Sequence, residues 1–364
     1  MHITEKILSE IELSLCHKYH TTIQFSDWDL FKMSPINKNG SRNNKMFNER
    51  QEKAVKIIRE ILKHHGKVNI IEYLAILASI EPNIQDIQPR VRDHVVHAIN
   101  TFLLGVYILE KVSFPGLISD GVDYPFMWKL TGPTHDLGYP IEIARNINKI
   151  YINKINEFLS TRNSPSPQIM ENVYPYNLNK LCNGVDANHL IQDKLTEWAL
   201  GINIDHYYAW LNSNNKTDHG VISALTQLKL IDTLYQENNP NRINVDIIID
   251  GLNYNQSNFT FDIVTASTAL FIHNIDLEYE GFSNKINFEL APLAFLLFLC
   301  DTFQEWDRYS KKRKLYCGKY FDIQCSTNLI NLYVPDELED IIFSSLDKRL
   351  TGMKIRINDK KEVS

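Results

Sequence analysis

The chain has 364 residues, 44% of them hydrophobic, enough for one large domain with additions or for two domains. Its formal charge is −6 with both signs interspersed; that argues against a general nucleic-acid binder but leaves a single nucleotide substrate open, because a local metal pair outweighs the global charge. The longest apolar run, Leu293 to Cys300, is too short for a bilayer, MHITEKILSEIELSL lacks an apolar signal core, and Cys16, Cys182, Cys300, Cys317 and Cys325 form no CxxC pair, so a cytoplasmic protein with reduced thiols and no membrane partner is expected.

Residues 1–85 read as a helical accessory region, with one helix over Phe47 to His65 and another over Val68 to Ile80. The polar stretch between Trp28 and Asn44, with Pro35 and Gly40, reads as loop. From Pro89 the sequence PRVRDHVVHAINTFLLGVYILEKV is apolar on most faces, which predicts a buried helix. FMWKLTGPTHDLGYP then leads into IEIARNINKIYINKINEFL, which places Ile143, Ile147, Ile150 and Ile155 at near-helical spacing. Pro165, Pro167 and Pro175 mark residues 161–185 as an irregular connection. Asp218 is a candidate N-cap for a helix from His219 to Tyr235. A short β-like run, Val245 to Ile249, follows, and helices are predicted over Val264 to Ile275 and Leu290 to Ser310. In the tail, KYFDIQCSTNLINLYVP alternates like a strand pair, DELEDIIFSSLDKRL is an amphipathic helix and MKIRIN a further strand. The expected fold is mainly α, with a central helical domain over 86–310 and a small α/β appendage over 311–364.

Of twelve histidines, His94, His97, His135, His219 and His273 sit in or at the start of helical patterns, mostly beside apolar residues. One such histidine is more often a satisfied core residue than a ligand. The set gains weight from two carboxylates in equally apolar settings. Asp301 follows PLAFLLFLC, where an unpaired buried carboxylate would cost several kcal/mol or be forced neutral. A divalent cation, a buried arginine or an escape to solvent would each relieve it. Asp136 adjoins His135 in THDLG; neighbours on a helix point about 100° apart, so both reach one centre only if it lies close to the backbone.

The ordered series His97, His135–Asp136, His219, His273, Asp301 resembles the HD superfamily of metal-dependent phosphohydrolases, whose minimal pattern is H…HD…D and whose two-metal members add two histidines before the last aspartate. RDHVVHAIN also resembles the first metal helix of cyclic-nucleotide phosphodiesterases. The resemblance covers roughly residues 88–310 and implies an HD-type helical bundle, with an N-terminal helical extension and the C-terminal appendage outside it. It implies His97, His135, Asp136, His219, His273 and Asp301 as metal ligands, Asp136 bridging two ions about 3.5–4 Å apart. It implies His94 either as a residue that supports the ligands from behind or as the donor of a proton to the leaving group. Three departures stand out. Tyr139 follows HDLG where many members that open cyclic dinucleotides carry lysine. The spacing from the HD pair to His219 is long, so an insertion over about 161–200 must loop out. His206, in IDHYYAW, competes locally with His219.

The mixed ligand set suits one or two divalent transition ions, Mn, Fe, Co, Ni or Zn, with Mg also admissible. Arg308, in EWDR, is a candidate for holding a substrate phosphate and equally a partner for Glu305 or Asp307. KKRK at Lys311 to Lys314 could follow a nucleic-acid backbone, but reads more readily as a solvated helix end. The expected activity is hydrolysis of a phosphoester or phosphoanhydride bond in a nucleotide-like small molecule, with a homo-oligomer left open. A nucleotide-sensing module without turnover and a di-iron oxygenase on the same scaffold are the alternatives.

Overall fold

The computed structural model describes residues 1–19, 31, 43–62, 93–115, 123–148, 177–181, 184–238, 247–249, 252–254, 259–306, 309–310 and 315–363. Arg308, the Lys311 to Lys314 run and the helix predicted over Val68 to Ile80 lie outside them. The described part is mostly helical. Helix α1 spans Ile3–His17, α2 Asn44–Leu62, α3 His94–Lys111 and α4 Tyr124–Thr131. A 3-10 turn over Gly132–Thr134 and a turn over 135–138 follow α4, and residues 139–148 are helical again. Beyond them lie α5 Ala187–Glu197, α6 Ile204–Ser213, α7 His219–Asn238, α8 Val264–Ile272, α9 Pro292–Phe303 and α10 Asp336–Arg349.

The strands are short. β1 (Ile247–Ile249) pairs with β2 (Leu252–Tyr254) antiparallel. β3 (Ile286–Asn287) lies in the body, and β4 (Tyr309–Ser310) pairs with β5 (Leu315–Tyr316). The tail contributes β6 (Asp322–Ser326), β7 (Leu329–Tyr333), β8 (Leu350–Thr351), β9 (Lys354–Ile357) and β10 (Lys361–Val363). Four of these form a sheet in the order β10-β9-β7-β6, with β7 and β9 parallel and joined through α10. Alternation places Ile323, Ile330, Leu332, Ile355 and Ile357 on its buried face.

The sequence of α3 explains its place. Every residue from His94 to Ile108 is buried, because the helix is apolar on most of its circumference and is packed by α1, α2, α4 and α9. Asp93 caps it, its Oδ1 accepting the Val96 N–H at 3.2 Å. α1 lays Ile3, Ile7, Ile11 and Leu15 against α3, the i, i+4 stripe of an amphipathic helix. α8 and α9 are more apolar still and pack on each other.

One hydrophobic core runs from Ile3 through the central helices to Val363. The amino-terminal helices and the tail are therefore built into the body. Lys6 on α1 binds Asp322 of β6 at 2.6 Å and the Ile323 carbonyl at 2.8 Å, and β3 pairs with β8 in parallel. The chain differs from the sequence reading at the end of α9. Helix had been expected to Ser310, but it stops at Phe303, and Gln304 leaves it with ψ 71°. The reason lies in the site described next. Among the described residues no helix is long and apolar enough to cross a membrane.

Candidate metal centre

The centre is assembled from helix ends. His97 lies at the start of α3, His219 opens α7, His273 caps the C-terminus of α8, and Asp301 lies near the end of α9. His135 and Asp136 lie in the turn after the Gly132–Thr134 3-10 segment rather than in a helix as the sequence suggested. That turn is held from several sides. Ser223 on α7 donates to the His135 carbonyl at 2.7 Å and accepts the Gly138 N–H at 2.8 Å. Thr134 donates to Gln227 at 3.0 Å, which in turn donates to Ser267 at 3.2 Å, so the turn, α7 and α8 share one buried polar chain.

Two glycines set how closely these elements approach. A Cβ on Gly138 would collide with the His219 carbonyl and lie 2.7 Å from Ile222 Cβ. One on Gly220 would lie 2.7 Å from the Leu270 carbonyl and 3.1 Å from His273 Cε1. Without side chains there, α7 settles directly on the His135–Asp136 turn and on the end of α8.

The ring nitrogens decide what the centre can bind. His135 Nδ1 donates to the Gly132 carbonyl at 2.8 Å, and His273 Nδ1 to the Leu270 carbonyl at 2.6 Å. His97 Nδ1 meets Gln304 Oε1 in the same way. A carbonyl only accepts, so Nδ1 must carry a hydrogen in each ring, and in the neutral form Nε2 is left with the lone pair. Those lone pairs converge. His97 Nε2 lies 3.1 Å from His135 Nε2 and 2.8 Å from Asp301 Oδ1, and His135 Nε2 lies 3.8 Å from the same oxygen. His273 Nε2 is buried with no hydrogen-bond partner. Acceptors facing acceptors in a buried cluster repel; a shared proton relieves one pair, and a cation relieves them all.

Asp136 joins two such groups. Its Oδ2 lies 3.4 Å from His135 Nε2 and 4.0 Å from His97 Nε2, while Oδ1 lies 3.2 Å from His219 Nε2. The ligand atoms of His97, His135 and Asp136 all fall within 4.8 Å of one another, as do those of Asp136, His219 and His273. The chemistry of this set, imidazole nitrogens and carboxylates with an unpartnered buried nitrogen among them, fits a metal ion.

Burial raises the carboxyl of Asp136, but the neighbouring His135 ring and the hydrogen bond from His219 outweigh it and hold the group well below the usual range. Burial likewise pulls the His219 imidazole down, and hydrogen bonds to Asp136 and Glu142 reverse that, so it titrates well above an ordinary histidine. His273 is pushed down to about 3 by burial and by the rings of His219 and His135, which keeps it neutral at ordinary pH.

Glu142, Asn274 and Gln304 had no clear signal in the sequence, whereas Asp218 was legible as the N-cap of α7. Glu142 accepts from His219 Nδ1 at 2.6 Å and fixes that ring's orientation. The Asn274 amide N–H donates to Asp218 Oδ1 at 3.2 Å. Asp218 is buried, accepts the Gly220 N–H at 2.7 Å and receives the Tyr207 hydroxyl. Gln304 breaks off α9 to meet His97, which ends that helix early.

The six residues expected as ligands come together here. His94 is buried one turn before His97, with its ring stacked on Tyr139 at 3.6 Å between centroids. Tyr139, which follows HDLG, also meets the edge of His219. His206 is exposed on α6 and belongs to neither ligand group. A cleft of about 470 Å³ opens beside the centre, lined among others by His273, Asp301, Glu142, Arg145, Leu211 and Phe298.

Comparison of the chain with protein-family models, with curated proteins and with solved structures finds no match.

Proposed function

We propose that the chain is a metal-dependent phosphohydrolase of the HD type, acting on a phosphoester or phosphoanhydride bond of a nucleotide-like substrate. The observation that carries this reading is the convergence of Nε2 lone pairs and carboxylate oxygens, with Asp136 shared between two ligand groups. His97, His135, Asp136 and Asp301 would hold one ion, and Asp136, His219 and His273 the other. A divalent pair bound there supplies a water of lowered pKa and positive charge for the phosphoryl oxygens.

The remaining work falls to the protein. Gly132, Leu270, Gln304 and Glu142 fix the four imidazoles through Nδ1, so the rings need not reorient, and His219 Nε2, which donates to Asp136, would give up its proton to a bound ion. The cleft admits a substrate on the side of His273 and Asp301 and offers Leu211 and Phe298 to its organic part. Water oxygen would attack phosphorus as the bond to the leaving oxygen breaks; that oxygen would take a proton from His94, which lies a turn before His97, and the proton given up by the water would return His94 to its starting state.

The test is elemental analysis of the purified protein, followed by a nucleotide panel with the recovered metal, or Mn or Co, restored. Release of phosphate or a nucleoside monophosphate without oxygen consumption is expected. Protein that retains no transition metal would overturn the reading. Oxygen uptake by iron-loaded protein would favour an oxygenase, and nucleotide binding without product under every metal would favour a sensor.

A further inference from the structure

Two cations line the cleft beside the centre, and they differ in how they are neutralised. Lys216 Nζ binds Asp276 at 2.6 Å and Glu278 at 2.7 Å, and lies 4.8 Å above the Trp210 ring. Its charge is spoken for. The Arg145 guanidinium instead meets only uncharged oxygens: the Lys216 carbonyl at 2.5 Å, the Thr217 hydroxyl and the Asn215 side-chain carbonyl. No described carboxylate pairs with it. Glu142, three residues earlier on the same helical face, is already taken by His219. The contacts to residues 215–217 fix the guanidinium in place, and with three of its five N–H donors used, the others remain for a ligand.

An immobilised, unneutralised guanidinium in the wall of a cleft that His273 and Asp301 also line is a built anion site. We propose that Arg145 binds a second phosphoryl group of the substrate. The substrate class is then a compound with two or more linked phosphates, such as a nucleoside di- or triphosphate, rather than a monophosphate ester. This rests on the phosphohydrolase reading, since the first phosphoryl group is the one at the metal centre. Leu211 and Phe298 in the same cleft favour an organic polyphosphate over a bare inorganic one.

The experiment is calorimetric titration of full-length, metal-loaded protein with methylenediphosphonate, which carries two uncleavable anionic groups, against methylphosphonate, which carries one. The wild type should prefer the diphosphonate by about tenfold or more, the scale of a hydrogen-bonded charge. Arg145→Met should lose that preference while keeping its metal content, and Arg145→Lys should retain part of it. Should Arg145→Met fail to fold, the lysine variant and the wild-type preference still decide. Equal affinity of the wild type for the two probes, or an unchanged preference in Arg145→Met, overturns the assignment. A wild type that holds no metal overturns the phosphohydrolase reading instead; in metal-free titration Arg145→Met must still weaken the diphosphonate for this site to stand. Tighter binding of adenosine α,β-methylene diphosphate than of the bare diphosphonate supports a nucleotide, and equal binding overturns the organic assignment.

Discussion

Gly138→Ala isolates how the seating of α7 on the THDLG turn governs the metal centre. The new methyl would lie 2.7 Å from Ile222 Cβ and closer still to the His219 carbonyl, whereas ordinary contact begins at 3.4 Å. The start of α7 must therefore retreat by about 0.7 Å or more, since the neighbour in the way is helix backbone rather than a flexible side-chain tip. Metal sites tolerate ligand errors of only about 0.2 Å. His219 Nε2, now 3.2 Å from Asp136 Oδ1, would leave the shared position. Overpacking of this kind typically costs about 1–3 kcal/mol. The expected result in urea titrations of chelator-treated protein is a loss on that scale. Elemental analysis should also show less metal, because the Asp136–His219–His273 group is disturbed most. Wild-type stability together with wild-type metal content in Gly138→Ala would refute the placement of α7 and the ligand geometry built on it.

Asp136→Asn keeps the shape but replaces one shared oxygen with a donor; metal content should fall to background while the circular dichroism of the fold is kept, and retained metal would show that Asp136 is only structural. His273→Leu removes a nitrogen that has no partner but also the bond to the Leu270 carbonyl, so the chelated protein should shift by no more than about 1 kcal/mol while the added stability on metal loading is reduced; thermal melts with and without metal read both. Asp262 has a pKa raised to about 6, by burial and then by the charge of Asp123. The folded state holds that proton more tightly, so stability falls as pH rises from the unfolded value near 3.8 through about 6. Asp262→Asn should therefore raise Tm more at pH 7.5 than at pH 4, in scans over that range, and an equal gain at both would refute the cause assigned.

Most of the candidate ligand set was legible because its residues break an apolar pattern. His97 interrupts VVHAIN, Asp301 ends PLAFLLFLC, and His273 follows ALFI, each in a helix that the core buries on nearly every side. The partners of these ligands were not legible. Glu142 is one charged residue in a helix whose other face is solvated, and Gln304 looks like an ordinary helix residue until its backbone turns aside. Helices α5 and α6 were missed too. Their sequences are polar on several sides, and they bury only narrow stripes such as Ile191 and Leu195, or Tyr207 and Leu211. The pairing of β3 with β8 involves two residues a side and joins segments over sixty positions apart, which no local pattern announces.

The turn that carries His135 and Asp136 shows why the expectation of a helix there fell short. Two adjacent helical residues diverge by about 100°, which lets both serve one centre only at close range. Leaving the helix frees the Asp136 carboxylate to present Oδ2 to His135 and Oδ1 to His219. The cost of such a turn is unpaired backbone, and the structure meets it locally: Ser223 takes the His135 carbonyl and the Gly138 N–H, and Leu137 and Tyr139 N–H groups return to Thr134 and Asp136. The same arrangement ties the His135 ring to Gly132 and brings α7 close enough for His219 to reach Asp136. A cluster of acceptors that would destabilise an ordinary core is thus held rigidly from its outer side, with its lone pairs turned inward. A cation bound there would relieve the repulsion among them, so metal affinity and metal-dependent stability should rise or fall together across substitutions of these residues.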